Sequence, residues 1–353
     1  MLAGDCRTVI PTLGEASIAS VVTDPPYHLT GATRFGNTRS ERGFMNKAWD
    51  GGDVAFNPET WATVARVVRP GGYLLASGGT RTYHRLACAA EDGGWEIVDC
   101  LAWLYGQGFP KHASKLKPAF EPILMARTPG PMHALAIDEC RIGFANASDE
   151  AEAKGKNRHA DFGSGARKNQ VYGADHRARG ENGNYDAPGR WPANVILDET
   201  AAAALDAQAG DRRASSRGVR TTKNIMKLGG ANRRPSHGDA DGSARPGYAD
   251  AGGASRFFYC PKASRAERDA GLDGMRNNHP TVKPIALMRW LVRLVTPRGG
   301  VVLDPFAGSG STGAACAMDG VPFVGVDITP EYVEIARRRI IHWRRDELFG
   351  VAE

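Results

Sequence analysis

Two short stretches of the chain combine residue types that can do chemistry together. The first is Asp24-Pro25-Pro26-Tyr27, which offers an acid, a backbone carbonyl locked by proline and an aromatic face. These groups can hold a planar exocyclic amine, because two acceptors take its N–H hydrogens while Tyr27 stacks on the base. The nitrogen lone pair can then be aimed at a methyl group. The alternative for the same residues is a simple proline turn at the end of a strand.

The second stretch is a glycine-rich loop near the C-terminus. Gly308, Gly310 and Gly313 fit the pattern G-x-G-x-x-G, and Asp327 follows Gly308 by 19 residues. Glycines let the backbone approach a ligand, and an acid at this spacing can accept hydrogen bonds from two ribose hydroxyls. The motif therefore predicts a site for a dinucleotide or for S-adenosylmethionine. The residues assigned to this site are Asp304, Phe306, Gly308, Gly310 and Asp327.

Strand and helix patterns alternate around both stretches. Ala19–Thr23 is an apolar run that the two prolines must end, since proline cannot donate a ladder hydrogen bond. Asn57-Pro58 predicts the start of a helix, Pro70-Gly71-Gly72 its end, and Tyr73–Ser77 the next strand. The same alternation recurs toward the C-terminus, with a helix from Pro284 and strands at 301–303 and 322–326. This pattern predicts an α/β fold with a doubly wound, mostly parallel sheet.

The charge of the chain is concentrated in one segment. The 353 residues carry a net charge of +6, and Lys154–Arg245 alone contains 17 basic and 10 acidic side chains. This segment has few large apolar residues, so it is either a solvated insertion or a surface that meets a polyanion. On the second interpretation, Arg212-Arg213 and Arg233-Arg234 are candidate contacts to nucleic acid.

Composition argues against several other classes of protein. The apolar share of 42% and the charged share of 24% are typical of a globular protein. The chain has no run of about 18 apolar residues and no signal-peptide pattern, so we expect a cytoplasmic protein without a membrane partner. Its six cysteines lie far apart, which argues against a disulfide framework or a zinc site. We therefore expect no metal.

Taken together, the motifs resemble those of the DNA amino-methyltransferases of the permuted beta class. In that family the catalytic tetrapeptide comes first, a variable target-recognition region follows, and the F-x-G-x-G loop for S-adenosylmethionine comes last. Here Asp24–Tyr27, the basic segment and Phe306–Gly310 stand in that order. The resemblance covers roughly residues 1–130 and 255–345. It implies a Rossmann-like, circularly permuted methyltransferase fold with an inserted recognition region, and S-adenosylmethionine as cofactor.

Three shorter motifs strengthen the resemblance. His279-Pro280-Thr281-Val282-Lys283-Pro284 matches the family signature H-P-T-x-K-P, which implies that Thr281 and Lys283 hold the methionine carboxylate. Gly4-Asp5-Cys6 resembles the family's G-D-C, which implies that Asp5 lies near the target base and the cofactor. Arg69–Gly72 resembles a structural K/R-P-G-G turn.

The resemblance implies an enzyme that transfers the methyl group of S-adenosylmethionine to N6 of a flipped-out adenine in double-stranded DNA. It divides the chain into a catalytic half at 1–130, a target-recognition region at 131–254 and a cofactor-binding half at 255–353. A second copy of the chain and a cognate restriction endonuclease are candidate partners.

Other functions stay open on the residues alone. One alternative is an N4-cytosine methyltransferase of the same class, although that type often has Ser where this chain has Asp24. Others are a nicotinamide-dependent oxidoreductase, a DNA-binding protein with a decayed active site, and an enzyme that acts on RNA. The oxidoreductase leaves the tetrapeptide and the segment 279–284 unexplained.

Two further segments carry expectations of their own. Arg34–Asp50 is rich in Gly, Arg, Asn and Ser, which predicts either a loop that closes over DNA or an ordinary surface loop. The run Arg337–Arg339, with Arg344-Arg345, predicts the solvated face of a helix near its C-terminus, where positive charge is favoured, with contact to DNA as the alternative.

Overall fold

The structure is a computed structural model that describes residues 1–28, 48–50, 52–106, 108, 116–147, 149–151, 153, 188–210, 252–261 and 266–348. By internal contacts the chain divides into two compact units. The first comprises Met1–Arg141, Trp191–Ala204 and Phe257–Glu353, and the second Ile142–Arg190 and Leu205–Arg256. Among the described helices, none has the length and apolarity that a membrane crossing would need.

In the described part of the first unit, eight strands form one sheet. They are β1 (Leu2–Ala3), β2 (Ile18–Thr23), β3 (Val68–Ser77), β4 (Glu96–Leu104), β5 (Phe120–Arg127), β6 (Val195–Leu197), β7 (Val302–Asp304) and β8 (Phe323–Asp327). Their order in the sheet is β1-β8-β7-β2-β3-β5-β4-β6. Pairing is parallel from β1 to β3 and between β4 and β6, whereas β5 runs antiparallel to both of its neighbours. The predicted mostly parallel α/β sheet is confirmed.

The structure defines the bounds of the following α-helices. They are α1 (Cys6–Val9), α2 (Pro58–Val67), α3 (Tyr83–Asp92), α4 (Glu199–Ala209), α5 (Ile285–Val295), α6 (Ser311–Met318) and α7 (Pro330–Leu348). Successive strand residues face opposite sides of a sheet, so Val21 joins one apolar cluster with α2 and α3 while Val22 joins another with α5 and α6. Both faces of the sheet are therefore covered, as the alternating pattern predicts.

The helix α2 begins as the sequence indicates but ends earlier. Asn57 caps it, with its side-chain oxygen accepting from Glu59 N at 2.9 Å, and Pro58 occupies the first turn. The predicted end at Pro70-Gly71-Gly72 is wrong, because β3 already begins at Val68. Val68 pairs with Ile18, and the register then shifts before Tyr73 pairs with Ser20. The Pro-Gly-Gly sequence thus forms an irregularity within the strand rather than a turn between two elements.

The segment after β5 is fastened to this irregularity. Thr128 Oγ1 donates to Arg69 O at 2.8 Å and accepts from Gly72 N at 3.1 Å. Gly71 has φ +76°, and a Cβ at this position would lie 1.9 Å from the carbonyl oxygen of Pro131, so only glycine fits. Further along, Tyr73 Oη donates to the carbonyl oxygen of His133 at 2.8 Å. The chain beyond β5 therefore leaves the sheet along a fixed path.

The second unit is described only in part. An antiparallel bridge joins Ile142 to Arg190, and the guanidinium of Arg190 pairs with the buried carboxylate of Asp149. Arg256 adds a second cation 3.4 Å from Asp149. Hydrogen bonds from Arg190 outweigh the cost of burial and lower the pKa of Asp149.

The two-unit division differs from the boundaries predicted for the inserted region, 131 and 254. Residues 131–141 and 191–204 belong to the first unit. The reason is local pairing, since β6 forms a parallel ladder with β4 and Ala136 N donates to Leu294 O at 2.9 Å. Whether the remaining part recognises a DNA target stays a prediction.

Candidate active site

Three acidic residues stand at the carboxyl ends of three adjacent strands in the first unit. Asp24 follows β2, Asp304 ends β7 and Asp327 ends β8. These strands are parallel neighbours, so their carboxyl ends meet at one edge of the sheet. Open α/β sheets bind ligands at this edge. The fold thus brings together the two stretches that the sequence analysis selected 280 residues apart.

Asp24 belongs to a compact cluster of polar side chains. Lys283 Nζ donates to Asp24 Oδ2 at 2.7 Å, and Tyr27 Oη donates to Asp24 Oδ1 at 2.8 Å. Glu121 Oε2 lies 3.0 Å from Tyr27 Oη and 3.1 Å from Lys283 Nζ. The cluster therefore holds two carboxylates, each within hydrogen-bonding distance of the same ammonium group and the same phenol.

Glu121 is the member of this cluster that sequence reasoning missed. It lies in β5, which runs antiparallel to β3, so the beginning of β5 stands at the same edge as the carboxyl end of β3. A motif search along parallel strands does not find such a residue. The available signal was an acid next to the apolar run 123–126, because a charge inside a buried strand needs a partner.

The environment of the cluster favours one set of charges. Burial opposes the charge of Lys283, but the carboxylates of Asp24 and Glu121 outweigh this cost and raise the pKa of its ammonium group. Burial also raises the pKa of the Tyr27 phenol, and the same two carboxylates raise it further. Lys283 is thus protonated and Tyr27 neutral at ordinary pH.

The glycine-rich loop closes on Asp327. Gly308 N donates to Asp327 Oδ2 and Thr329 N donates to Oδ1, both at 2.8 Å. Burial raises the pKa of Asp327, although these two hydrogen bonds favour its ionised form. Gly310 has φ +79° and precedes α6, and a Cβ there would lie 2.7 Å from the Cβ of Ala336 in α7. Glycine at 310 is required both by the left-handed backbone and by this close approach.

Asp304 has a different environment from the one expected of a ligand-binding acid. Its carboxylate accepts from Thr23 Oγ1 at 2.6 Å, from Thr312 Oγ1 at 2.7 Å and from Phe306 N at 3.1 Å. Burial raises the pKa of the Asp304 carboxyl to about 6 despite these hydrogen bonds. Asp304 therefore joins β2, β7 and α6, and it also lines the cavity described below. Phe306 packs near Trp61, with ring centroids 6.4 Å apart.

The motif that contains Thr281 lies beside the loop. A Cβ on Gly308 would lie 2.8 Å from His279 Nε2, so the two segments are in contact. The other ring nitrogen of His279 lies 2.9 Å from the carbonyl oxygen of Thr281. Burial lowers the pKa of His279 to about 4, which leaves the ring neutral at pH 7. Trp49 stacks on this ring at a centroid distance of 5.7 Å, a contact that no sequence motif indicated.

Asp5 caps the N-terminus of helix α1. It accepts from Arg7 N at 2.9 Å and forms an ion pair with the Arg7 guanidinium. The hydrogen bond from Arg7 lowers the pKa of Asp5. Gly4 N donates to Asp327 O at 2.9 Å, which places the Gly4-Asp5-Cys6 segment next to the acid that ends β8.

Arg339 corrects an expectation from the sequence. It was expected on a solvated helix face, yet it is fully buried beneath the glycine-rich loop. Arg339 Nη1 donates to Ser309 O at 2.6 Å and to Ser309 Oγ at 3.1 Å, and Nη2 donates to Glu267 O at 3.2 Å. Burial lowers the pKa of its guanidinium to about 10. Its neighbours Arg337 and Arg338 are exposed, as expected.

A cavity of about 620 Å³ connects these groups within the first unit. A volume of this size is typical of small-molecule sites. Its lining includes most of the residues predicted for the site, namely Asp5, Asp24, Pro25, Pro26, Tyr27, Thr281, Lys283, Asp304, Phe306, Gly308 and Asp327. Gly310 does not line the cavity, but its left-handed backbone turns the loop into α6. The predicted DNA contacts Arg212, Arg213, Arg233 and Arg234 lie outside the described residues, as does most of the segment 34–50.

Comparison with known proteins agrees with the resemblance seen in the sequence motifs. The model of a family described as DNA methylase matches residues 18–338. The DNA adenine methyltransferase YhdJ of Escherichia coli K12 is 42% identical over 77 residues, which cover 21% of this chain and 26% of that protein. The type II methyltransferase M2.DpnII of Streptococcus pneumoniae is 44% identical over 62 residues, 18% of this chain and 23% of that protein. The matches thus span about a quarter of these relatives' own lengths.

One solved structure shows the same fold over nearly the whole chain. The PvuII DNA methyltransferase, which is cytosine-N4-specific, superposes with a TM-score of 0.50 at 14% identity, covering 99% of this chain and 92% of that one. The match of the family model extends over most of the sequence. The chain therefore belongs to the DNA methylase family, and the resemblance seen in its motifs is confirmed at that level.

Proposed function

We propose that this member of the DNA methylase family transfers the methyl group of S-adenosylmethionine to N6 of an adenine in double-stranded DNA. The observation that carries the proposal is the position of Asp24. Its carboxylate lines the same cavity as the glycine-rich loop and Asp327, so an amine acceptor and a nucleoside site share one space. An oxidoreductase would need the loop but not the acid, and the family match favours the methyltransferase.

The residues of the cavity fit S-adenosylmethionine. Asp327 can accept from a ribose hydroxyl, because its carboxylate offers about four acceptor sites and the N–H groups of Gly308 and Thr329 and the Thr329 hydroxyl occupy three of them. Ile328 is 56% exposed and lines the cavity beside it, which gives an adenine ring an apolar surface. Thr281 lines the same cavity and suits a carboxylate, whereas Lys283, predicted for the same role, already contacts Asp24, Glu121 and Tyr27 through its ammonium group. When bound, S-adenosylmethionine supplies a methyl group made electrophilic by its sulfonium.

The target amine would meet Asp24. A base inside a duplex cannot reach the cavity, so the nucleotide must be flipped out at a cost of a few kcal/mol. Asp24 and the Pro25 carbonyl then accept the two N–H hydrogens, and Asp24 stabilises the positive charge that develops on the nitrogen. Lys283 and Tyr27 hold the two oxygens of Asp24 in place, so the carboxylate is oriented before the substrate arrives.

Two observations favour adenine, and a third keeps cytosine as the alternative. The chain has Asp at the first position of the tetrapeptide, where the N4-cytosine type of this class often has Ser. One relative is named a DNA adenine methyltransferase, whereas the solved structure with the same fold is cytosine-N4-specific. N4-cytosine methylation is the alternative that the experiment below must exclude.

The basic segment supports a DNA partner. Its excess of positive charge would give affinity for phosphates that falls as salt rises, with Arg212-Arg213 and Arg233-Arg234 among the contacts. We keep a second copy of the chain and a cognate restriction endonuclease as candidate partners. The cytoplasm is the compartment that suits this activity.

Analysis of the product tests the proposal directly. DNA from a methylation-free host that expresses the chain is digested to nucleosides and analysed by mass spectrometry. We expect to find N6-methyl-2′-deoxyadenosine. N4-methyldeoxycytidine would overturn the base assignment, and unmodified DNA from a well-expressed, folded protein would overturn methyl transfer to DNA.

A further inference from the structure

Glu121 stands close to the reacting position without belonging to any motif. Its carboxylate contacts both groups that hold Asp24, at 3.1 Å from Lys283 Nζ and 3.0 Å from Tyr27 Oη. The side chains of Glu121 and Asp24 are similarly buried, at 22% and 21% exposed. Glu121 is also held by the sheet, because it pairs with Trp103 across β4. Its position is thus as defined as that of Asp24.

The arrangement of charges gives Glu121 a function. Lys283 is 9% exposed and donates to Asp24 at 2.7 Å, so these two groups alone would form a neutral pair. A neutral pair stabilises a nearby positive charge poorly, because the ammonium cancels the field of the carboxylate. With Glu121 present, the same lysine is shared by two carboxylates and the cluster carries one net negative charge. His279 adds no charge near pH 7.

We propose that Glu121 is a positioning residue that keeps the Asp24 site net negative by sharing Lys283. This inference rests on the proposed methyl transfer, in which positive charge passes from the cofactor to the amine beside Asp24. Glu121 does not touch the amine. It draws the ammonium of Lys283 away from an exclusive pair with Asp24 and competes with Asp24 for the single phenol proton of Tyr27, so that Asp24 retains acceptor strength.

The variant Glu121→Gln removes the charge and keeps the shape of the side chain. We expect the turnover number for incorporation of labelled methyl groups into unmethylated bacterial DNA to fall roughly tenfold to a hundredfold, as for one charge acting over several ångströms in a partly buried site. The matched control is Glu96→Gln, since Glu96 lies on the neighbouring strand and pairs with Arg127 away from the cavity. Glu121→Asp restores the charge and should recover part of the rate.

A binding measurement separates charge from structure. S-adenosylmethionine carries a positive sulfonium, whereas S-adenosylhomocysteine lacks the methyl group and that charge but has the same carboxylate. We expect calorimetry to show that Glu121→Gln lowers the ratio of the two affinities about threefold to tenfold, while Glu96→Gln leaves it unchanged. Both ligands carry the same methionine carboxylate, so any effect of Lys283 on that group is equal for the two and cancels in the ratio.

The outcomes distinguish the inference from the proposed function. A wild-type protein that incorporates no label, with either ligand bound normally, would overturn the function and leave the affinity ratio as the test of the charge. If wild type is active and Glu121→Gln retains its turnover number, or loses it with an unchanged affinity ratio in a folded protein, Glu121 does not set the charge of the site.

Discussion

Two carboxylates of the first unit, Asp24 and Asp319, are held by cations in opposite ways. Asp319 receives four N–H donors, two from Arg289 and two from Arg293, at 2.5–3.1 Å. Asp24 receives two among the described residues, one from Lys283 and one from Tyr27. A carboxylate offers about four acceptor sites. The protein therefore saturates Asp319, whereas Asp24 keeps acceptor capacity toward the cavity.

The charges around the two carboxylates differ in the same sense. Two guanidinium groups surround Asp319, and they outweigh the cost of burial and lower its pKa. Around Asp24 the balance is reversed, because Glu121 adds a second carboxylate to a single ammonium. The comparison teaches that a saturated ion cluster stabilises the fold, while an unsaturated one with excess negative charge is suited to bind an amine.

The largest expected effect comes from Asp24→Ala. Methyl transfer should fall by roughly three orders of magnitude or more, because the acceptor for the amine and the charge that stabilises it are both lost. Affinity for S-adenosylhomocysteine, which lacks the sulfonium charge, should change little, since Asp327 and the loop 308–313 provide that site. Initial rates and calorimetric titration on the same preparation test this. Normal turnover of the variant would contradict the mechanism, and equal loss of both properties would indicate misfolding.

A smaller effect, on stability, is expected at Arg339, a buried cation that donates hydrogen bonds to neutral backbone carbonyls. Arg339→Met leaves the carbonyl oxygens of Ser309 and Glu267 without their donor, which should cost about 2–4 kcal/mol of unfolding free energy. The control is Arg338→Met on the same helix, whose exposed pair with Glu334 is worth about 0.3–0.5 kcal/mol. Urea unfolding measures both. Equal stabilities of the two variants would show that Arg339 does not support the loop.

The smallest effect is expected at the saturated carboxylate. Asp319→Asn should lower the unfolding free energy by about 1–2 kcal/mol, because Arg289 and Arg293 are partly exposed and water replaces much of what they lose. The turnover number of the folded variant should equal that of wild type. Thermal unfolding and initial rates measure the two quantities. A loss of turnover with unchanged stability would remove the distinction between the two clusters.

The sequence predicted the parts of the site that are contiguous in the chain. Asp24–Tyr27, the loop 308–313 and Asp327 follow predicted strands, and parallel neighbours bring such positions to one edge. Glu121 was missed because its strand is antiparallel, which depends on pairing that no local pattern encodes.

Arg339 was missed for a different reason. A run of three arginines was interpreted as one solvated surface, although helical spacing puts Arg339 on the same face as Tyr332, Ile335 and Ala336, which are buried. Helix periodicity was the better guide than composition in this case. The early start of β3 was missed because Pro-Gly-Gly normally separates elements, and here the ladder continues around it.

That irregularity in β3 has a consequence for how the chain can be recombined. Thr128, Pro131 and His133 are fastened to it by hydrogen bonds and by the contact that requires glycine at 71. The stretch up to Arg141 also belongs to the first unit, where Ala136 N donates to Leu294 O. A chimera that exchanges the intervening segment should therefore be joined beyond Arg141, because a junction at 130 would place foreign residues in these contacts with β3. Residues up to Arg141 should therefore be kept together with β3 in such a chimera, and the exchange should begin after them.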